Sequence, residues 1–193
     1  MPPGEPTAGR RIWVIGVAGA GKTRLARDLS SAGTLPYHEL DASFWGPGWR
    51  RAGEADFVRE VAAIAAGGSW VVDGQYTAAH RALAAAADTV IWVDPPRRTA
   101  LARLLRRTAY DLFHRTRLYH GNRQTVWKAV GLLLWALRSH SRVRRRNAAL
   151  LRRLSATDTR CLTVRDAADR ARVVALLHHG FPASPDRRGR SGP

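Results

Sequence analysis

Eight consecutive residues carry the sharpest chemistry in this chain: Gly16-Val17-Ala18-Gly19-Ala20-Gly21-Lys22-Thr23. They spell GxxxxGK[ST], a loop whose successive backbone N–H groups form an anion-binding concavity. In such a loop the lysine reaches the β- and γ-phosphates of a nucleotide, and the hydroxyl residue ligates Mg²⁺. Lys22 is one of only two lysines, set against thirty arginines. A compact, flexible ammonium has therefore been kept where a planar fork would not serve. The expected contacts to ATP are Gly16, Ala18, Gly19, Ala20, Gly21, Lys22, Thr23 and the following Arg24, with Thr23 on the metal. The competing reading is a glycine-rich turn without a ligand. Context weighs against it, because the apolar run Arg11 to Ile15 reads as a buried parallel strand. Thr23 to Ala32 then has helical spacing, so the motif opens a helix N-terminus, where free N–H groups and the dipole favour phosphate.

The remaining elements alternate in the same manner. Leu35 to Leu40 predicts a second strand ending at Asp41, and Ala55 to Ala66 an amphipathic helix. Ser69 to Val72 predicts a third strand closing on Asp73-Gly74, and Thr77 a cap for an alanine-rich helix to Ala87. Thr89 to Val93 predicts a fourth strand, Arg97 to about Leu154 a basic helical region, Arg160 to Val164 a fifth strand, and Ala167 to His178 a last helix. This alternation implies an α/β fold, a parallel sheet with helices on both faces and ligands at the carboxyl ends of the strands. The expected organisation is one domain over residues 11–180, with disordered stretches at 1–10 and 181–193.

Two carboxylates fall at those strand ends. Asp73 is placed to hold the Mg²⁺ shell through water, in competition with a turn cap before Gly74. Asp41 is placed to orient or deprotonate an acceptor hydroxyl, in even competition with an Asx turn. After Asp41 come Trp45 and Trp49 in a Gly/Pro-rich loop, either stacking on a ring or anchoring the loop.

Charge and composition bound the class. The net charge of +17 calls for a polyanionic partner. Part of it reflects a general preference for arginine. Sixteen basic residues lie between Arg97 and Arg153 against one acidic residue, Asp111. The longest apolar stretch, Val126 to Leu137, is interrupted by Lys128 and is too short to span a bilayer. The single cysteine, Cys161, reads as a small core residue and suits a reducing cytoplasm. The seven histidines show no metal-ligand spacing.

The phosphate loop, the DG pair after the third strand and the arginine-rich segment after the fourth together resemble the adenylate kinase-related branch of P-loop kinases. More closely, Leu40-Asp41…Trp45-Gly46-Pro47-Gly48-Trp49, then Trp70-Val71-Val72-Asp73-Gly74-Gln75-Tyr76, are similar to the LDxxxWxPGW and WVxDGNY motifs of the FlaR-like DNA topology modulation proteins. The likeness covers roughly residues 11 to 178. It implies a five-stranded parallel sheet in the order 2-3-1-4-5, a substrate arm, and a helical, arginine-bearing lid at about 97–154. Nucleoside monophosphate kinases read DGFPR where this chain has Asp73-Gly74-Gln75-Tyr76, so the arginine that grips the acceptor phosphate has no counterpart. Arg81 is the nearest replacement, and Asp41, Trp45, Trp49, Gln75 and Tyr76 are the expected acceptor contacts.

On this resemblance Arg115, Arg117 and Arg123, flanking a helix break at Tyr119 to Asn122, are the first choice for lid arginines acting in catalysis. Arg142, Arg144 and Arg145 are further candidates, and solvated helix faces are the bland alternative for all of them. Arg165, after the fifth strand, takes the place where related kinases hold the adenine. The stripe Trp127, Val130, Leu134, Leu137 is expected to pack the lid helices together. The function implied is ATP- and Mg²⁺-dependent phosphoryl transfer from ATP to a small-molecule acceptor, with Lys22, Asp41 and Asp73 central. Two other readings stay open: a nucleotide-dependent nucleic-acid binder gripping phosphate through Arg97 to Arg153, and contact of the Val126 to Leu137 helix with an anionic membrane.

Overall fold

A computed structural model describes residues 10–178. The expected disordered ends fall almost wholly outside these residues, apart from Arg10, whose carbonyl already accepts from the Trp70 N–H at 2.7 Å. The elements in chain order are β1 (Arg11–Gly16), α1 (Lys22–Gly33), β2 (Tyr37–Glu39), α2 (Leu40–Phe44), α3 (Glu54–Ala65), β3 (Trp70–Asp73), α4 (His80–Ala86), β4 (Thr89–Val93), α5 (Arg97–Phe113), α6 (Val126–Leu154), β5 (Arg160–Val164) and α7 (Ala167–His178). The five strands form one parallel sheet in the order β2-β3-β1-β4-β5.

β1 shows how a continuous apolar run serves two cores. Side chains alternate across a strand, so Ile12 and Val14 join one apolar cluster with Leu25 and Leu29 of α1, Ile91, and Val173 of α7. Trp13 and Ile15 join the other, with Phe57 and Val61 of α3, Leu83 of α4 and Leu154 of α6. All four β1 side chains are fully buried. Helices therefore cover both faces, and the central strand aims its carboxyl end at the phosphate loop.

Four sequence expectations need correction. Asp41 does not end a strand. β2 is an edge strand of three residues, and Asp41 lies in the first turn of the short helix α2. Thr77 does not cap α4. It opens a separate 3₁₀ turn at Thr77–Ala79, and its hydroxyl accepts from Arg146 at 3.2 Å. Cys161 is half-buried on the edge strand β5, and burial pushes its thiol pKa up. The stripe Trp127, Val130, Leu134, Leu137 does not pack the helices together, since all four side chains are exposed. In that half of α6 the small residues Ala129 and Ala136 are buried instead, and small side chains let helix axes approach closely. The C-terminal half of α6 belongs to the body, with Asn147 and Leu154 buried, so only its first half projects beyond the sheet.

Candidate active site

The loop between β1 and α1 is shaped by three glycines at positive φ: Gly16 at 156°, Gly19 at 76° and Gly21 at 102°. Gly19 also admits a neighbour. A Cβ there would lie 2.1 Å from the Ala100 carbonyl oxygen, so α5 rests directly on the loop. Gly21 is the residue before α1 and has no side-chain cap, which leaves the first N–H groups of the helix facing the cleft. Lys22 Nζ donates to the Val17 carbonyl at 3.2 Å.

Beside the loop, Thr23 Oγ1 donates to Asp73 Oδ2 at 2.5 Å, and the Tyr37 hydroxyl lies 3.5 Å from the same oxygen. Asp73 closes β3 and is 2% exposed. Burial raises its pKa, Lys22 and the Thr23 hydrogen bond oppose the rise, and Glu39 and Asp41 add to it. Its second oxygen, Oδ1, is buried with no hydrogen-bond partner among the described residues. A buried carboxylate oxygen left unpaired is costly, and a donor such as metal-bound water would satisfy it. Thr23 and Asp73 therefore fit an Mg²⁺ ion.

A cleft of about 530 Å³ opens over the loop. Its floor is Gly19 to Leu25, including Arg24, and its far wall is Arg165, Asp166, Ala167 and Arg170. Arg170 is forked onto Asp28, and the Arg165 N–H donates to Asp169 at 2.9 Å. The third wall is Arg103, Arg106 and Arg107 of α5, with Arg103 Nη1 donating to the Ala20 carbonyl at 3.1 Å. These three were missed in the sequence. Their i, i+3, i+4 spacing on the first helix after β4 is the signal that would have found them, since it puts three guanidiniums on one helix face. None of Arg115, Arg117, Arg123, Arg142, Arg144 and Arg145 lines the cleft. Arg117 and Arg123 pair across an isolated bridge that closes the loop around Tyr119–Gly121, and Arg115 takes φ 49° just after α5.

That loop grips the arm that follows Asp41. The Asn122 side chain, itself buried, donates to the Gly46 carbonyl at 2.9 Å and accepts from the Trp49 N–H at 3.1 Å. Trp49 Nε1 donates to the Arg123 carbonyl at 2.9 Å, and the Trp45 and Trp49 rings meet edge to face at 5.8 Å. Trp49 thus anchors its loop. The Tyr119 hydroxyl donates to Glu39 at 2.6 Å, and Tyr76 donates to Asp41 at 2.5 Å while stacking on Phe44. Burial raises both phenol pKa values well beyond the usual range, with Asp41 adding to each. Gln75 donates to the fully buried Asn147 of α6, and Arg81 is exposed on α4. Glu39, Tyr119 and Asn122 also escaped the sequence reading, because nothing local marks a contact made across more than seventy residues.

No protein-family model matches the chain, and no curated protein matches it. Solved structures do. A candidate kinase from Chloroflexus aurantiacus j-10-fl superposes with a TM-score of 0.53 at 18% identity, over 89% of this chain and 97% of that one. Shikimate kinase from Acinetobacter baumannii, in complex with shikimate, superposes with a TM-score of 0.52 at 17% identity, over 87% and 92%. Identity this low speaks to architecture alone. With its strand order, phosphate loop and flanking helices, this chain has the three-layer fold of the P-loop kinases.

Proposed function

We propose that the chain is an ATP-dependent phosphotransferase of the adenylate kinase-related type, moving the γ-phosphate of ATP to a small hydroxyl-bearing acceptor in the cytoplasm. The observation that carries this reading is the Thr23–Asp73 pair beside Lys22, with Asp73 Oδ1 buried and unsatisfied. This arrangement sets a hydroxyl and a carboxylate side by side, next to a phosphate loop and a basic cleft.

Mechanistically, the amides of Gly19 to Thr23 cradle the donor phosphates, and Lys22 exchanges its Val17 carbonyl for them. Thr23 and Asp73 would hold Mg²⁺, which when bound would neutralise charge on the phosphate oxygens. Asp41 orients the acceptor hydroxyl and receives its proton, displacing Tyr76 from the carboxylate. Guanidiniums donate to equatorial oxygens of the transferring group as charge builds. The cleft walls favour Arg103, Arg106 and Arg107 for that role, leaving Arg115, Arg117 and Arg123 to shape the loop over the arm. Arg24 and Arg165 line the same cleft.

The nucleic-acid reading has less support. Several arginines it would need are engaged by the chain itself: Arg144 by Asp94, Arg103 by the Ala20 carbonyl, Arg97 by the Leu137 carbonyl and Arg146 by Thr77. Incubating the chain with Mg²⁺, γ-labelled ATP and a panel of nucleoside monophosphates, sugars, hydroxy acids and amino alcohols tests the proposal. Label should pass to one acceptor class with wild type and not with Lys22→Ala. Hydrolysis alone across the panel, at the same rate in the Lys22 variant, would sink it.

A further inference from the structure

The projecting hairpin of α5 and the first half of α6 carries the largest exposed apolar side chains of the described residues. Trp127 is 86% exposed, Phe113 84%, Val126 64% and Trp135 53%. At 100° per residue, Val126, Trp127, Val130, Leu134 and Leu137 fall within an arc of roughly 100°. Ala129, Ala136 and His140, about 110° round the helix from the centre of that arc, are buried. The arc therefore flanks the buried face and stays open to solvent. An apolar stripe of this width left in water is costly and marks an interaction surface.

Charge selects the partner. α6 holds no acidic residue along its 29 positions. Beyond the apolar arc, Arg138, Arg142 and Arg145 continue along the solvent side of α6, all exposed and, among the described residues, without a carboxylate partner. A second copy of this chain would bring no α6 carboxylate to these arginines, on a protein already at +17. A duplex would engage the guanidiniums but leave tryptophan, valine and leucine against hydrated phosphates. An anionic bilayer satisfies both halves at once. Apolar side chains enter the boundary between headgroups and acyl chains, and guanidiniums meet lipid phosphates. Indole rings favour that depth, their apolar body buried and their N–H wet.

We propose that the α5–α6 hairpin docks on an anionic lipid surface, lying in the interface with the Val126–Leu137 arc down. It does not cross: no helix among the described residues is long and apolar enough to span a membrane. The proposal stands apart from phosphoryl transfer, because none of these side chains lines the cleft over the phosphate loop.

Vesicle co-sedimentation of the full chain tests it, with phosphatidylcholine alone and with phosphatidylcholine plus phosphatidylglycerol. Binding is expected to the mixed vesicles only, weakening with salt, with tryptophan emission moving to the blue. Phe113→Ser with Trp127→Ser should lower partitioning by about tenfold or more. Arg138→Gln with Arg142→Gln and Arg145→Gln should remove the preference for anionic lipid. Circular dichroism and ATP binding should stay at wild-type levels in both variants, so a loss cannot be laid to unfolding. Absence of vesicle binding would overturn the proposal. So would binding undiminished by the Phe113 and Trp127 changes, or a wild-type dimer in sedimentation that those changes dissolve.

Discussion

The phosphate loop and the arm beyond Asp41 both meet the sheet at its carboxyl edge, yet they are built from different material. The loop is backbone: three glycines at positive φ, a helix N-terminus and one close approach to α5. The arm is side chain: Asn122, Trp49, Tyr119, Glu39, Tyr76 and Asp41 joined by hydrogen bonds between distant segments. A site for phosphate can be nearly universal, because phosphate is always the same shape. A site for an acceptor has to be particular, and side chains are what make it so. The donor half should therefore be brittle to substitution, and the acceptor half should be tunable.

The largest effect is expected at Lys22. Lys22→Ala should lower turnover by about 10³-fold or more while leaving circular dichroism unchanged. Lys22→Arg should fail nearly as badly, because a planar group cannot take the ammonium's place. Near-normal turnover in either variant would undo the contrast between the two halves.

Next come the two carboxylates. Asp73→Asn should cost about 10²-fold in kcat and raise the Mg²⁺ needed for half-maximal rate. Asp41→Asn should spoil transfer with ATP affinity nearly unchanged. Titrating metal and acceptor separately checks the assignment, and a loss of ATP affinity on changing Asp41 alone would reverse it.

Among the arginines, Arg103→Ala with Arg107→Ala should lower kcat far more than ATP affinity, since their contacts strengthen as charge develops. The triple change of Arg115, Arg117 and Arg123 to Ala should act mainly through the acceptor KM. Steady-state kinetics on the two variants would divide catalysis from arm support, and equal profiles would merge them.

A smaller effect is expected at the clamp. Asn122→Ala removes two hydrogen bonds from a buried side chain and should cost about 1–2 kcal/mol of stability. It should also raise the acceptor KM with little change in that for ATP.

The smallest concerns pH. Burial, helped by Arg146, lowers the His80 pKa from its ordinary 6.5 to about 4. The unfolded chain therefore takes up a proton that the folded one refuses. The stability contributed by neutral His80 is complete above about 6.5 and is lost as pH falls towards 4. Thermal melts between these values should flatten in His80→Phe.

Much of the fold was legible because strong signals and local geometry agreed. Thr89–Val93, Arg160–Val164 and Ala167–His178 stand where periodicity put them. Asp41 was misplaced because an edge strand of three residues leaves almost no alternation to read. The Trp127 to Leu137 stripe misled because apolar spacing reports an amphipathic face without saying what covers it. Of the candidate site, the phosphate loop and Asp73 can be picked out from residue type and position. Arg103, Arg106 and Arg107 were hidden in a segment so rich in arginine that no single one stood out. Asn122 was hidden by sequence distance, its partner Trp49 lying 73 positions away.

The grip of Arg144 on Asp94 has a mechanical consequence. Nε and Nη2 meet both carboxylate oxygens between 2.9 and 3.1 Å, and Asp94 follows directly after β4. This pins α6 to the sheet a little beyond its midpoint. From there to Val126 the helix runs about 27 Å at 1.5 Å per residue. It is a lever with a short arm on the sheet and a long arm packed against α5. A tilt of about 5° at the pin, small enough to hide within ordinary side-chain adjustment, carries the far end about 2 Å. A slight tilt at the end of β4 would thereby be magnified at Trp127, and a displacement of Trp127 would return, geared down, to the sheet.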